Sequence, residues 1–484
     1  MSAPVPPSRR GWCPGTRRPM QTGDGLLARV HPFGGILSRD QALALADLAE
    51  ACGNGLLDVT ARGNLQIRGV SEETYPVLLE RLSALDLAEP DGPGPHRLTL
   101  VSPLAGIDPT EAFDALALAR AIEADCVGVT GLPPKAFVAV DGGGRFALPP
   151  GADLRIEPAE ARARVLLARG EDYVATPARP LAEIPETVAG MLERFAALPS
   201  LPAGEGGLSS GARKAGWGPG GELASTLGPH PTPVAPLQGP PSPTGRDRLR
   251  DLSDDARAFI AGLPSLPAGE GGLSSGARKA GWGTTREGRS PPGPHPTPVA
   301  PLQGPPSPTG RDVALLPLPF GRIAASALRF VASRAPDHLR LSFTRAVLVP
   351  HLTTPERERL LRDAPEHGFV VDPADPRLAV EACPGAPACR SGLAAAAADA
   401  SGIAQAASHL LREGLSLHVS GCAKGCARPR PADLTLVAVD EATYGLVLGG
   451  GAGDKPVRIM TRAALERALA STQCRADLAA AIGE

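Results

Sequence analysis

Residues 32–70 read PFGGILSRDQALALADLAEACGNGLLDVTARGNLQIRGV, and residues 319–352 read PFGRIAASALRFVASRAPDHLRLSFTRAVLVPHL. Each opens on Pro-Phe-Gly, continues as a helix-length run and closes on a strand-like segment bearing a Thr and an Arg. In the first copy, residues 38–52 carry a Ser38 N-cap and an apolar stripe at Leu43, Leu45, Ala46 and Leu48, and Gly53 is the stop signal. A strand pair then turns at Gly63 and Asn64. The shared order of anchors predicts an α+β fold built on two related half-domains about a pseudo-twofold axis. The plainer alternative is a helix-strand rhythm common to many α/β chains.

Working outward, a helix is expected at 109–125, and AFVAVDGGGRF at 136–146 reads as a strand entering a glycine turn. The Ala-rich stretch 391–412 reads as helical, and DLTLVAV and YGLVLGGG as late strands. At 484 residues the chain has room for about three domains with real cores. The expected units are a first half-domain at 20–80, an α/β domain at 90–198, an insertion at 199–312, a second half-domain at 313–375 and a cysteine-bearing domain at 376–484.

The insertion announces itself by repetition. Residues 198–218 recur identically at 263–283, and residues 228–247 recur at 293–312, both displaced by 65. This tandem duplication is rich in Pro, Gly and Ser, and lacks any helical or strand period, so it cannot bury enough surface to offset its ordering entropy. Disorder is expected there. A folded core tolerates such a loop because each doubling of loop length costs only about 0.6 kcal/mol.

A formal net charge of −2 gives no electrostatic case for nucleic acid or an anionic membrane as partner. No run of 18 apolar residues occurs, and MSAPVPPSRRGWCPG has no apolar signal core, so a cytoplasmic, thiol-reducing location is expected.

Four cysteines carry the strongest chemical signal. Cys383 and Cys389 lie in EACPGAPACRSG, and Cys422 and Cys426 in HVSGCAKGCARP, with five and three residues between the members of each pair. Small residues let a backbone wrap closely around an inorganic cluster, and four thiolates make a complete [4Fe-4S] ligand set. Structural zinc pairs are spaced by two to four residues, which makes zinc the weaker reading. Cys13 in GWCPG is either functional or buried, whereas Cys52, Cys126 and Cys474 read as ordinary helix or core residues.

The first half also places cations beside glycine and proline turns: Arg29 and His31 in LARVHPFGG, Arg62 in VTARGNLQIR, Arg97 in PHRLTLVSPLAG and Lys135 in GLPPKAFV. Each alone reads equally as a solvated surface residue. Gathered on one face, they suit a polycarboxylate.

Together these motifs resemble the sirohaem-dependent sulfite and nitrite reductase superfamily: ARVHPFGG, TARGNLQIRG, the Arg97 segment, GLPPK and the cysteine quartet match in order. The resemblance implies ferredoxin-like half-domains, a [4Fe-4S] cluster on the four cysteines, and the Arg and Lys positions lining a tetrapyrrole. Within the superfamily, RRGWCPGTRRPMQTGDGLLARVHPFGG and HVSGCAKGCARP look like the precorrin-3B synthase branch of cobalamin biosynthesis. The reductases carry Pro-Asn where this chain has Ala423 and Lys424, and a second Lys where it has Phe137.

That branch implies an iron-sulfur monooxygenase that uses O₂ to hydroxylate precorrin-3A and close a γ-lactone, with NADH as the indirect electron source. No Gly-rich dinucleotide fingerprint is present, so a separate electron-donating reductase is expected. The resemblance also suggests a mononuclear non-haem iron, yet no two-His-one-carboxylate signature is legible among the 9 histidines. His418 reads as either a ligand or a satisfied strand histidine. The competing functions are a sirohaem sulfite or nitrite reductase, a non-catalytic iron-sulfur electron carrier and a zinc-stabilised binding module.

Overall fold

The structure, a computed structural model, describes residues 13–90, 97–133, 135–169, 172–197 and 312–483. Apart from Asp312, the expected low-complexity insertion lies outside the described residues.

The first repeat comprises β1 (Met20–Gln21), β2 (Leu26–Val30), β3 (Ile36–Ser38), α1 (Arg39–Cys52), β4 (Leu56–Val59), β5 (Leu65–Val70) and α2 (Tyr75–Ala84). An α/β unit follows: β6 (Thr99–Val101), α3 (Ala115–Asp125), β7 (Val138–Val140), β8 (Leu154–Ala159), β9 (Arg162–Arg169), β10 (Asp172–Ala175) and α4 (Ile184–Ala197). The second repeat runs through β11 (Asp312–Pro317), β12 (Arg322–Ala324), α5 (Ala325–Arg334), β13 (His338–Leu341), β14 (Ala346–Leu352) and α6 (Thr354–Asp363). Last come β15 (Val380–Ala382), α7 (Ala396–Ala406), α8 (Ser408–Arg412), β16 (Leu417–Ser420), β17 (Leu434–Ala438), β18 (Thr443–Leu448), β19 (Arg458–Thr461), α9 (Arg462–Ser471) and α10 (Leu478–Gly483).

The half-domains exchange strands. The first sheet has the order β1-β2-β5-β4-β12 and the second β11-β14-β13-β3, so each repeat completes the other's sheet. Ile323 pairs with Leu57, and Leu339 with Leu37, in antiparallel register. One core results: Leu45, Leu57 and Ile67 are fully buried in the same cluster as Leu328, Leu339 and Val347. Each such side chain contributes about 1.5–3 kcal/mol on burial, so neither repeat is expected to be stable without its mate.

The two Pro-Phe-Gly triplets are not structurally equivalent. The tight turn preceding the exchanged strand covers Phe33–Gly35 in one repeat and Pro319–Gly321 in the other, so Gly35 matches Gly321 and the triplets are offset by one residue. Backbone contact sets this register. A Cβ on Gly35 would lie 2.5 Å from the Leu341 carbonyl oxygen, and one on Gly321 would lie 2.7 Å from that of Val59. Both glycines also hold positive φ, 71° and 77°.

Helix α1 starts as expected, with Ser38 Oγ accepting from Gln41 N and Gln41 Oε1 accepting from Ser38 N, both at 3.0 Å. The helix expected from 109 begins only at Ala115. Asp108 accepts from Thr110 N in a turn, and Asp114 accepts from Ala117 N as the true N-cap. The expected 391–412 helix is likewise shortened to Ala396–Ala406 followed by Ser408–Arg412. Backbone groups of Gly392, Leu393 and Ala394 are taken by the cysteine loops.

Two further sheets share one plan. Sheet β6-β7-β8-β9-β10 and sheet β15-β16-β17-β18-β19 each join three parallel strands to two antiparallel ones. Among the described residues no helix is long and apolar enough to cross a membrane.

Candidate active site

The parallel strands β15 and β16 pair Ala382 with Val419, so the chain leaves both in the same direction. Cys383 immediately follows one strand, and Gly421 and Cys422 follow the other. Loops at the carboxyl ends of adjacent parallel strands converge, which brings the two cysteine pairs together. Gly421 N–H donates to Cys383 Sγ at 3.1 Å, Leu393 N–H to Gly421 O at 2.8 Å, and Cys389 N–H to Gly385 O at 2.7 Å. Gly385 holds φ 69°, and a Cβ there would lie 2.3 Å from both Ala394 O and Ala396 N.

The sulfurs sense one another. Burial raises the Cys383 thiol pKa; N–H groups of Gly421 and Gly385 oppose this, and Cys389 and Cys422 add to it. Burial raises Cys426 too, and the other three cysteines raise it further. Cys383 and Cys426 therefore resist ionisation until a cationic centre compensates them. Four thiolate donors and a glycine backbone packed closely around them fit an iron-sulfur cluster.

Behind the loops stands His418, fully buried on β16, with neither ring nitrogen hydrogen-bonded. It is therefore not the satisfied strand histidine that the sequence suggested. Desolvation pushes its pKa down to about 4, with Glu381 opposing and Arg428 and Arg345 reinforcing. Arg345 itself donates from Nη2 to Ala427 O at 3.2 Å, linking the second repeat to the cysteine loop.

The first-half cations divide into two groups. Arg62 and Arg97 line one pocket with Gly34, Gly35, Leu341 and Phe343. Arg62 donates to the Lys135 carbonyl oxygen and lies 4.4 Å over the Phe137 ring. Arg97, at φ 55°, keeps Nη2 buried without a protein partner, and desolvation lowers its pKa to about 10 against the pull of Glu123. Arg29, by contrast, sits on β2 opposite Gln66, whose amide oxygen is assigned towards its Nε at 3.0 Å. Cys13 bonds Arg29 as well, and desolvation lowers the Arg29 pKa against that thiol's pull. His31 occupies the turn after β2, and the Lys135 side chain is exposed.

The comparisons with known proteins bear on this arrangement. The nitrite/sulfite reductase ferredoxin-like half domain family matches residues 18–85. A precorrin-3B synthase from Sinorhizobium sp. is 32% identical over 464 residues, covering 93% of this chain and 84% of that protein. The chain belongs to the precorrin-3B synthase family. Its likeness to reductases is narrower: a ferredoxin–nitrite reductase from Synechococcus elongatus is 36% identical over 135 residues, 26% of either chain. The structure of the Mycobacterium tuberculosis NirA protein superposes with a TM-score of 0.60 at 18% identity, covering 92% of this chain and 80% of that one, and shows a shared fold.

Sequence reasoning missed three residues that the fold gathers, Asp337, His338 and His351. One ligand atom from each lies within 4.8 Å of the others. The signal for them was available only once the two repeats were superposed, since His351 stands where the first repeat has a glycine.

Proposed function

We propose that this chain is a precorrin-3B synthase: it binds precorrin-3A with Arg62 and Arg97 among its carboxylate contacts and hydroxylates it with O₂, closing a γ-lactone from a ring acetate. One oxygen atom enters the product and the other leaves as water; the donor supplies two electrons and two protons. NADH is the ultimate donor through a separate reductase, and a mononuclear non-haem iron is the proposed oxygen-activating group. Free cysteines throughout the described residues suit a reducing cytoplasm.

The observation that carries the reading is Phe137. Where the reductases place a second lysine, this chain places a ring beneath Arg62, 4.4 Å from its guanidinium carbon. The pocket thereby loses a proton-donating cation suited to reducing small anions and holds Arg62 for a carboxylate. The unpartnered Nη2 of Arg97 offers the matching second donor. Arg29, His31 and Lys135 complete the proposed substrate contacts. Cys383, Cys389, Cys422 and Cys426 are the proposed [4Fe-4S] ligands, and a cluster held there supplies one-electron transfer.

Anaerobic purification with iron and sulfide quantification and an absorption spectrum tests the assignment. The synthase reading expects about four or more irons per chain, sulfide and no haem bands. Intense haem bands beside the cluster would shift it to a sirohaem reductase, and tight stoichiometric precorrin-3A binding excludes a simple electron carrier.

A further inference from the structure

We propose that Asp337, His338 and His351 form a binding site for a divalent first-row transition metal. One ligand atom from each residue lies within 4.8 Å of the others. His338 Nδ1 is 2.9 Å and His351 Nδ1 3.3 Å from Asp337 Oδ2, and the two rings meet edge to face at 5.3 Å. Two imidazoles and one carboxylate leave coordination positions open, a donor set that suits Fe(II) or zinc. Both histidines are half-buried and Asp337 is exposed, so an ion can enter from solvent.

The repeat supplies an internal control. The Gly55 carbonyl accepts from Ala325 N at 2.8 Å, and the Asp337 carbonyl from Arg39 N at 2.8 Å, which makes Gly55 and Asp337 equivalent. Likewise Thr60 N bonds Asn64 O and Ser342 N bonds Ala346 O, which places His351 opposite Gly69. The first repeat thus has Gly55, Leu56 and Gly69 where the second has Asp337, His338 and His351. Gly69 holds φ 68° and His351 φ 63°, a left-handed conformation that strains any residue with a Cβ by about 1–3 kcal/mol. The fold needs none of these three side chains, and glycine would serve better at 351.

Arg340 sets the tautomer. Its Nε donates to His338 Nε2 at 3.2 Å, which leaves the ring proton on Nδ1 facing Asp337. On metal binding that proton transfers to Nε2 and Arg340 releases the ring, keeping its Nη1 bond to Ala105 O at 2.6 Å. Strand β13 then runs roughly 10 Å from His338 to Leu341, at the wall of the arginine pocket. The three side chains are distinct from the four cysteines, and metal occupancy there does not depend on the proposed reaction.

Equilibrium dialysis of the cluster-loaded full chain against Zn(II), with zinc and iron counted by elemental analysis, tests this. The parent is expected to take up one zinc per chain at this site, with H351G and H338L each weakening it at least tenfold at unchanged iron content. H351G should also unfold at higher temperature than the parent, because glycine relieves the backbone, so its loss of zinc cannot reflect misfolding. A parent that binds no zinc, or variants that bind it as the parent does, would overturn the proposal.

Discussion

The guanidinium of Arg68, in the first repeat, donates to the carbonyl oxygen of Ala388, the residue immediately before Cys389. Arg68 is 3% exposed and also reaches Asp24 at 2.9 Å and Asp58 at 3.0 Å; Asp58 in turn accepts from Arg322 at 2.9 Å. Both repeats are thereby fastened to one cysteine loop. Removing Arg68 leaves Asp24 with only the uncharged partners Thr22 and Asn54, while Asp58 keeps Arg322, so R68M should lower stability by about 1.5–3 kcal/mol and hasten cluster loss. R68K should fall between, since a point charge cannot span three acceptors. Denaturant unfolding and the decay of cluster absorbance measure both, and an R68M protein that keeps its cluster as long as the parent refutes the role.

Gly385 is the tightest point of the first cysteine loop. G385A forces a methyl group to within 2.3 Å of two backbone atoms at a positive φ. We expect iron and sulfide per chain to fall severalfold while far-ultraviolet dichroism retains the half-domain signal.

Each charge-assisted contact to a substrate carboxylate is worth about 1.5–3 kcal/mol. R97Q and R62Q should therefore each weaken precorrin-3A binding by about 10- to 100-fold. F137A should weaken it less, by loosening Arg62. Fluorescence or equilibrium binding reads these constants, and unchanged affinity in R97Q would remove Arg97 from the contact set.

His418 supplies a pH dependence. Its folded pKa of about 4 lies below the ordinary 6.5, so the unfolded chain takes up the proton first as pH falls. Its contribution is intact above pH 6.5 and is lost progressively down to pH 4. By pH 5 this amounts to about 2 kcal/mol. H418L should abolish that slope between pH 7 and 5 in urea unfolding.

Part of the fold was legible because its signals are local: the Ser38 cap and the Gly63 turn need no knowledge of distant chain. The exchange of β3 and β12 was not, because strand partners several hundred residues apart leave no mark on local pattern. The one-residue offset of the Pro-Phe-Gly triplets was hidden for a related reason. Gly35 and Gly321 are set by the carbonyls of Leu341 and Val59, each in the opposite repeat. The cysteine pairs stood out through spacing and small neighbours. His351 did not, since a strained φ is invisible in sequence until its counterpart Gly69 is identified.

Anaerobic reduction of the cluster-loaded chain with precorrin-3A, followed by admission of ¹⁸O₂ and mass analysis of the product, decides whether this chain is the synthase. The expected product is a lactone bearing one ¹⁸O atom, formed without bound haem. A chain that leaves precorrin-3A unchanged under these conditions, yet reduces sulfite or nitrite, would contradict that assignment.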